Sequence, residues 1–488
     1  MKNIHLTILS LFSVCAYAQE TNTPSTYKKR VLESAEVDFI SSYYEQDGNN
    51  ASVTGGIGTE KLTDVTPTIT VTMPLSADEL LTVDAGISAY TSASSSNLDP
   101  FDSSGASGGE FEGDDAKGGD TNRNNANTVT GSPWVASSGE SYMDIWGNAT
   151  LSYTKYSDDR NRIWNVNGGI SSEYDYFSAG FGGGYTWLFN QKNTEIGFKA
   201  SIFLDKWSPR YPTELDSYVD AGQDLNNGFF EGIDILNEQG EIIDKNGSNV
   251  WSPVDGFGLI ENKNRNSYTL SLSFSQILSR NAQLSLFVDL IHQEGWLANP
   301  MQRVYFGDRS NYYIGNAASI PNYTSTTNTD VFQLADDIER LPDTRLKTPI
   351  GARLNYFLNE NISVRTYYRY YFDNWGMSSH TASIELPIKL GDKLTLYPNY
   401  RYYTQTAIDH FAPFEQNLST QQYYTSDYDL SAFNASQYGF GIRYTDIFTK
   451  FRLFKFGLKS IDLRFAQYER SNGLSASIIS GGFKFIFD

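Results

Sequence analysis

The 488-residue chain is poor in cysteine, histidine and long apolar runs: it has one Cys and four His. After its first few residues, no stretch approaches the roughly 20 apolar residues of a membrane-crossing helix. The one cysteine, Cys15, lies in a segment expected to be removed, so the mature chain would have no disulfide, thiolate nucleophile or cysteine metal site. Positive charge is also scarce. Against 57 Asp and Glu stand 37 Lys and Arg, a formal net charge of −20 that becomes −21 on losing Lys2. Nucleic-acid binding needs a basic face and is excluded as a function class. Acidic residues gather in segments such as Glu110 to Asp120 and Glu231 to Asp244, as expected of solvated loops or of loops that hold divalent cations.

The two ends of the chain point to export. Lys2, the apolar run from Ile4 to Cys15 and Ala16-Tyr17-Ala18 form a signal peptide over 1–18, with cleavage expected before Gln19. Residues 19–34 would be a short periplasmic segment, too small for a plug domain, and 35–488 one barrel domain. The chain stops on Gly482-Phe483-Lys484-Phe485-Ile486-Phe487-Asp488, whose alternating aromatics suit the last strand of an outer-membrane barrel. Such a strand is read by the barrel-assembly machinery; Asp488 after the final aromatic departs from the usual ending.

Aromatics make up 15% of the chain, with 33 Tyr, 30 Phe and 40 Gly. Abundant Tyr, Phe, Gly, Ser and Thr without long apolar runs suit strands that face lipid on alternate residues and water on the others. Period-2 alternation recurs throughout. In Tyr268-Thr269-Leu270-Ser271-Leu272-Ser273-Phe274-Ser275 one face is apolar and the other all hydroxyl, and after a tight turn Leu284, Leu286, Val288 and Leu290 continue the pattern. The alternation predicts strands near 35–44, 63–73, 80–92, 141–154, 163–173, 178–189, 194–205, 265–278, 282–294, 345–358, 362–373, 377–390, 394–406, 435–447, 460–470 and 474–487.

Short connections follow strands two, six, eight, ten and twelve, whereas long ones fall at about 93–140, 206–264, 295–344 and 407–434. Short turns on one side and long loops on the other are the outer-membrane pattern, with the long loops outside. The expected fold is therefore all-β: a transmembrane antiparallel up-and-down β-barrel of about 16 strands with long extracellular loops. Pro349, Pro387 and Pro398 fall inside proposed strands, where each would mark a bulge or a misplaced end.

The segment from Tyr44 to Ser107 carries Tyr44-Glu45-Gln46-Asp47-Gly48, Val53-Thr54-Gly55-Gly56-Ile57-Gly58-Thr59-Glu60-Lys61-Leu62, Tyr90-Thr91-Ser92-Ala93-Ser94-Ser95 and Ser103-Ser104-Gly105-Ala106-Ser107 in order. These blocks resemble those of a Bacteroidota-type outer-membrane barrel family of unknown function, over most of the mature chain. The resemblance implies a barrel. It also implies a gene neighbourhood with an ApbE-type flavin transferase, a small lipoprotein-like peptide and a thioredoxin-like protein, hence an envelope redox or lipoprotein partner. The residues themselves assign Gly55, Gly56 and Gly58 to a tight surface turn or to close packing between loops. A nucleotide-binding reading would need a helix next, and a Thr- and Val-rich strand follows instead.

Catalytic chemistry has little to work with. A barrel lipase would need His292 or His380 beside a Ser on the outer wall, and a barrel protease would need acid pairs such as Asp336-Asp337 with Asp409-His410; solvated loop charge is the plainer reading. No catalytic residue is assigned. Asp120, Asn122 and Asn124 place oxygens at alternate positions, a weak Ca²⁺ motif that lacks the glycine and distal Glu of a full loop. No other cofactor is implied.

Taking the apolar face as lipid-facing sends Lys199, Arg353, Arg365, Arg369, Lys389, Arg401, Arg443 and Arg464 into the lumen with Asp205, Asp289, Glu385 and Asp462. Eight bases against four acids would favour anions in a pore; the same residues could instead tie the wall together as an arginine–carboxylate network. Clustered tyrosines (Tyr367-Tyr368, Tyr370-Tyr371, Tyr400, Tyr402-Tyr403, Tyr423-Tyr424) suit interfacial girdles. The leading expectation is a channel or transporter for small solutes in the outer membrane. The alternatives are a structural or scaffolding barrel of an envelope complex and, third, a barrel hydrolase.

Overall fold

In a computed structural model, which describes residues 29–91, 129, 132–134, 143–328, 330–446 and 448–487, the alternating segments close into one antiparallel barrel. Its sixteen strands are β1 Ala35–Asp47, β2 Leu62–Pro74, β3 Glu79–Thr91, β4 Met143–Tyr156, β5 Arg162–Ser172, β6 Tyr176–Phe189, β7 Thr194–Trp207 and β8 Lys263–Ser279, followed by β9 Ala282–Gly295, β10 Thr344–Phe357, β11 Ser363–Asp373, β12 Ser378–Glu385, β13 Leu394–Gln405, β14 Phe433–Thr445, β15 Phe456–Arg470 and β16 Ser475–Phe487. Each pairs with its sequence neighbour, and β1 pairs with β16 from Ala35↔Phe487 to Asp47↔Ser475, which removes the last free edge. Full closure satisfies every strand's backbone within the wall, the condition for crossing hydrocarbon with strands.

The prolines need no bulge. Pro387 interrupts β12, yet Glu385↔Asn399 and Ile388↔Leu396 keep one register across it, and Leu386 N donates to Pro398 O of β13 (3.0 Å). Pro349 likewise sits where the β9–β10 ladder pauses between Val288↔Ile350 and Ile291↔Lys347 without a shift. A residue with no N–H can occupy a ladder position if the bond is forgone locally.

On each strand one parity is apolar and exposed. Ile87, Leu151, Val166, Phe181, Leu272, Leu286, Ile350, Phe440, Phe465 and Phe483 all point outward, one from each of ten strands. At the short-turn end this band is edged by Tyr153 and Trp164 (centroids 6.3 Å apart), Tyr185 and Trp187 (4.4 Å), and Phe456 with Phe487 (5.2 Å). An apolar belt with aromatic edges is the exterior of a transmembrane barrel.

The buried core lies elsewhere, in the long loops. Leu215, Leu225, Phe229, Phe230, Ile235 and Trp251 come from the β7–β8 connection. Tyr305, Ile314, Phe332, Leu334 and Ile338 come from β9–β10, and Val129 from β3–β4; Phe414 of β13–β14 packs against them. The loops carry secondary structure of their own: a helix α1 at Thr213–Asp220, a ladder joining Arg303–Val304 to Asp337–Ile338, and a three-stranded sheet of Ile235–Leu236, Tyr313–Gly315 and Val331–Gln333. These connections leave the barrel from around its ring, so a core they share must lie across the opening. We call it the cap. Inward-facing side chains at the strand tops fasten it: Gln46 Nε2 donates to Glu60 O (3.0 Å), and Gln405 Nε2 donates to Asp429 O (2.9 Å) and Ser431 O (2.6 Å).

The Gly55-Gly56-x-Gly58 block is not a surface turn. All three glycines have positive φ (77°, 90° and 98°), and a Cβ would lie 2.6 Å from the Tyr305 ring, 2.5 Å from Ser426 O and 2.0 Å from Pro133 O respectively. The block is a buried hub where three loop backbones and the Tyr305 ring of a fourth loop meet, as close packing between loops requires.

Candidate functional site

The inner wall is built by the parity opposite the belt. Arg464 of β15 donates to Glu385 Oε2 of β12 at 3.3 Å although β13 and β14 lie between them in the sheet. Strands stand roughly 4.8 Å apart, so side chains three strands apart can meet only across the concave face. That contact identifies the inside. It also needs room over β14, where the inward positions are Gly439 and Gly441: a Cβ on Gly439 would lie 2.3 Å from Asn399 Oδ1, and one on Gly441 3.1 Å from Arg464 Cγ. The two glycines leave a trough in the wall.

Arg365, Arg443 and Arg464 share two carboxylates. Arg365 Nη1 lies 2.9 Å from Glu385 Oε1, Arg464 Nε 3.0 Å from Asp462 Oδ1, and Arg443 Nε 2.5 Å from Asp462 Oδ2. Arg464 and Arg443 also lie over the Tyr397 ring at 5.0 and 5.7 Å. Arg353 stands over both Phe287 and Tyr367 at 5.5 Å, in a stack made possible by Gly351, whose Cβ would collide with Phe287 at 2.3 Å. Among the described residues neither Arg353 nor Arg401 has a carboxylate partner. Among the described residues Arg369 Nε and Thr381 Oγ1, opposite each other in β11 and β12, are buried with no hydrogen-bond partner.

Beside the network a cavity of about 330 Å³ opens on the wall of β12–β16, lined by the polar Ser383, Glu385, Asn399, Arg401, Gln437, Arg464 and Ser480 and by the apolar Ala466 and Ile478. Of the remaining residues placed inward by alternation, Lys199 and Lys389 are exposed and Asp289 is half-buried. Asp205 takes the Tyr176 hydroxyl at 2.5 Å.

Alternation read only for the conspicuous bases leaves out part of the wall. The same parity brings Glu36, Asp38, Asp64 and Asp84 inward on β1–β3. Asp84 accepts from Thr70 (2.6 Å), Asp64 from Thr66 (2.7 Å) and Ser88 (2.5 Å), and Lys484 bridges Glu36 (2.7 Å) and Asp38 (3.0 Å). Arg345 and Lys347 join the basic side. The lumen is therefore divided: acids and hydroxyls on β1–β3, mainly Ser, Thr and Asn on β4–β8 with Lys199 and Asp205 of β7 among them, and arginines on β10–β15.

The tyrosines divide likewise. Tyr368, Tyr400 and Tyr402 face outward as a girdle would, whereas Tyr367 and Tyr371 face inward and Tyr424 is buried in the cap. His292 and His380 are on the outer face. His292 Nε2 is 3.8 Å from Glu294, and His380 Nδ1 is 2.8 Å from the Tyr368 hydroxyl, so neither meets a serine in these contacts.

Asp336 and Asp337 are not solvated loop charge. They lie inside the cap, where Asp336 accepts from Phe306 N (2.9 Å) and Arg309 Nε (3.0 Å), and Asp337 from Arg340 Nε (2.7 Å) and Tyr424. Burial pushes Asp336 up to about 6. Glu339, which accepts from Thr425 Oγ1 (2.5 Å) and Asn299 N (2.6 Å), is raised by burial to about 7. At the centre Arg303 and Glu214 form a two-bond pair (2.7 and 3.0 Å) with both side chains at 0% exposure. Arg303 also donates to Val53 O (3.2 Å) and covers the Phe332 ring at 4.9 Å, joining three loops through one guanidinium. The Ca²⁺ motif of Asp120, Asn122 and Asn124, the signal peptide and the serine-rich blocks from 92 onward lie outside the described residues.

Among solved structures, the chain is similar to a bacterial polysaccharide outer membrane secretin (10% identity, 93% of this chain and 99% of that one, TM-score 0.40). It is also similar to a TodX monoaromatic hydrocarbon channel mutant (10%, 94% and 91%, TM-score 0.36) and to a BenF-like porin from Pseudomonas fluorescens Pf-5 (9%, 93% and 100%, TM-score 0.34). No curated protein matches. The family described as a protein of unknown function (DUF3570) matches over residues 4–483, and the chain belongs to that family.

Proposed function

We propose that the protein is an outer-membrane channel or transporter for small hydrophilic solutes, with the cap on the extracellular side as its gate. One observation carries this reading. The arginines of the inner network keep much of their surface open (53% for Arg365, 43% for Arg443 and 39% for Arg464) although they face the inside of a closed barrel. Charged side chains with that much exposure line water, and a belt of apolar residues around a wetted interior is the construction of a pore. The long loops, all at one end, support the extracellular assignment of the cap.

Planar-bilayer recording tests the proposal. The intact protein should conduct little or in brief openings, and a variant with 210–260 replaced by a short turn should conduct steadily. Silence from both, with heat-dependent gel mobility showing folded barrels, would remove the channel reading.

A further inference from the structure

We infer that the cavity under Arg401 is a binding site for small organic monocarboxylates, and that Arg369 is the next contact on the way to it from the cap. The inference deepens the channel reading by naming a solute class; the site's own chemistry is independent of whether ions flow.

The charge of the lining sets the valence. Its ionisable groups are Arg401, Arg464 and Glu385, net +1. Arg464 is already held by Glu385 and Asp462, so the attraction still available is that of Arg401, which is exposed to the cavity and has no carboxylate partner among the described residues. A planar guanidinium presents parallel N–H donors that match a carboxylate. Glu385 at the same cavity repels a dianion such as hydrogen phosphate more than a monoanion.

The rest of the lining sets the body of the ligand. Ile478 and Ala466, register partners beside Arg464, give an apolar patch next to the arginines, while Gln437, Asn399, Ser383 and Ser480 offer donors and acceptors for a polar substituent. About 330 Å³ lies at the small end of ligand-sized pockets, roughly 300–1,000 Å³. A small carboxylate with an apolar body meets these features together; a bare inorganic anion leaves the apolar side unused.

One inward-facing step toward the cap, the unpartnered Arg369 Nε faces the unpartnered Thr381 Oγ1. Arg369 is half-buried and has no ion-pair partner among the described residues, so its charge is available to a carboxylate on the way. Tyr367 and Arg401 share the rung below through Ser383.

The test is calorimetric titration of sodium benzoate into the full-length protein in detergent. Saturable binding is expected, at least tenfold weaker in Arg401→Gln and in Ala466→Phe, which fills the cavity, and unchanged in Lys155→Gln, which removes a cation paired with Glu79 on the outer face at the short-turn end. Benzyl alcohol, the uncharged analogue, should not bind, and inorganic phosphate should bind at least tenfold more weakly than benzoate. Gel mobility establishes that each variant is folded. Benzoate binding that survives Arg401→Gln, phosphate binding as tight as benzoate, or no saturable heat at all would each overturn the assignment. A silent bilayer with intact benzoate titration would instead defeat the channel reading and leave the site standing.

Discussion

The cap and the barrel interior use the same chemistry in opposite surroundings. Arg303 and Glu214 meet in the cap with no exposed surface, whereas Arg443 and Asp462 meet at similar distance in the lumen with the arginine side chain 43% exposed. In the cap each charge depends wholly on its partner, because water cannot replace it. In the lumen the exposed Arg443 side chain is open to water as an alternative partner, so the pair contributes little to stability. The cap is thus the folded core of a molecule whose barrel has none, and the two regions should respond differently to the same substitution.

The largest expected effect is in the cap. Arg303→Met leaves Glu214 buried without its cation, and Glu214→Gln does the converse; either should destabilise the cap by about 3–5 kcal/mol. Hydrogen exchange should show the loops opening while the barrel strands stay protected. A barrel that unfolds together with the cap would mean the two are one cooperative unit and would break the comparison.

Next in size is a pH effect. Glu339 is raised from its ordinary value to about 7 and Asp336 to about 6, both by burial. A carboxyl whose folded pKa is raised binds its proton more tightly when folded. Its stabilising contribution is complete below the unfolded value near 4.5, falls as pH rises, and is lost above the folded value. For the fully buried Glu339 the change between pH 4.5 and 8 is on the order of 3 kcal/mol by linkage. Exchange in the cap should therefore quicken from pH 5 to pH 8 after correction for intrinsic rates, and Glu339→Gln should flatten that dependence. A cap equally protected at both values would place Glu339 in contact with water. A smaller loss, about 2 kcal/mol, is expected for Gly58→Ala, which combines a left-handed φ with a Cβ 2.0 Å from Pro133 O.

The same contrast explains what could be read before the fold was seen. Strand order, closure and inward parity follow from a period of two, and a one-residue slip would turn every apolar side chain to the wrong face. Hence Tyr268 to Ser275 and Leu284 to Leu290 point as alternation requires. The cap has no such period. Val53, Glu214, Arg303 and Phe332 meet from three loops at separations of about 30 to 280 residues, and adjacent Asp336 and Asp337 resemble solvated charge unless Arg309, Arg340 and Tyr424 are known to surround them. The Gly55-Gly56-x-Gly58 block was a local sign that backbones approach closely, but not of which ones. In the lumen, attention to arginine hid the acids of β1–β3: Asp64 and Asp84 follow the same parity but sit among threonines that look like ordinary strand formers.

The smallest expected effect on stability is the most informative about the lumen. Arg443→Gln removes a guanidinium from Asp462, as Arg303→Met removes one from Glu214, but Asp462 keeps Arg464 at 3.0 Å and is itself partly exposed. The cost should be under about 1 kcal/mol, with a melting temperature within a few degrees of the parent. In a salt gradient the reversal potential should shift away from anions, because one positive charge has left the wall. A destabilisation as large as that of Arg303→Met would mean that the interior is packed rather than wetted, and the exposed arginines could not then line a path for solute. Stability and selectivity thus report on opposite properties of one side chain: a charge that costs little to remove is one that water was already sharing.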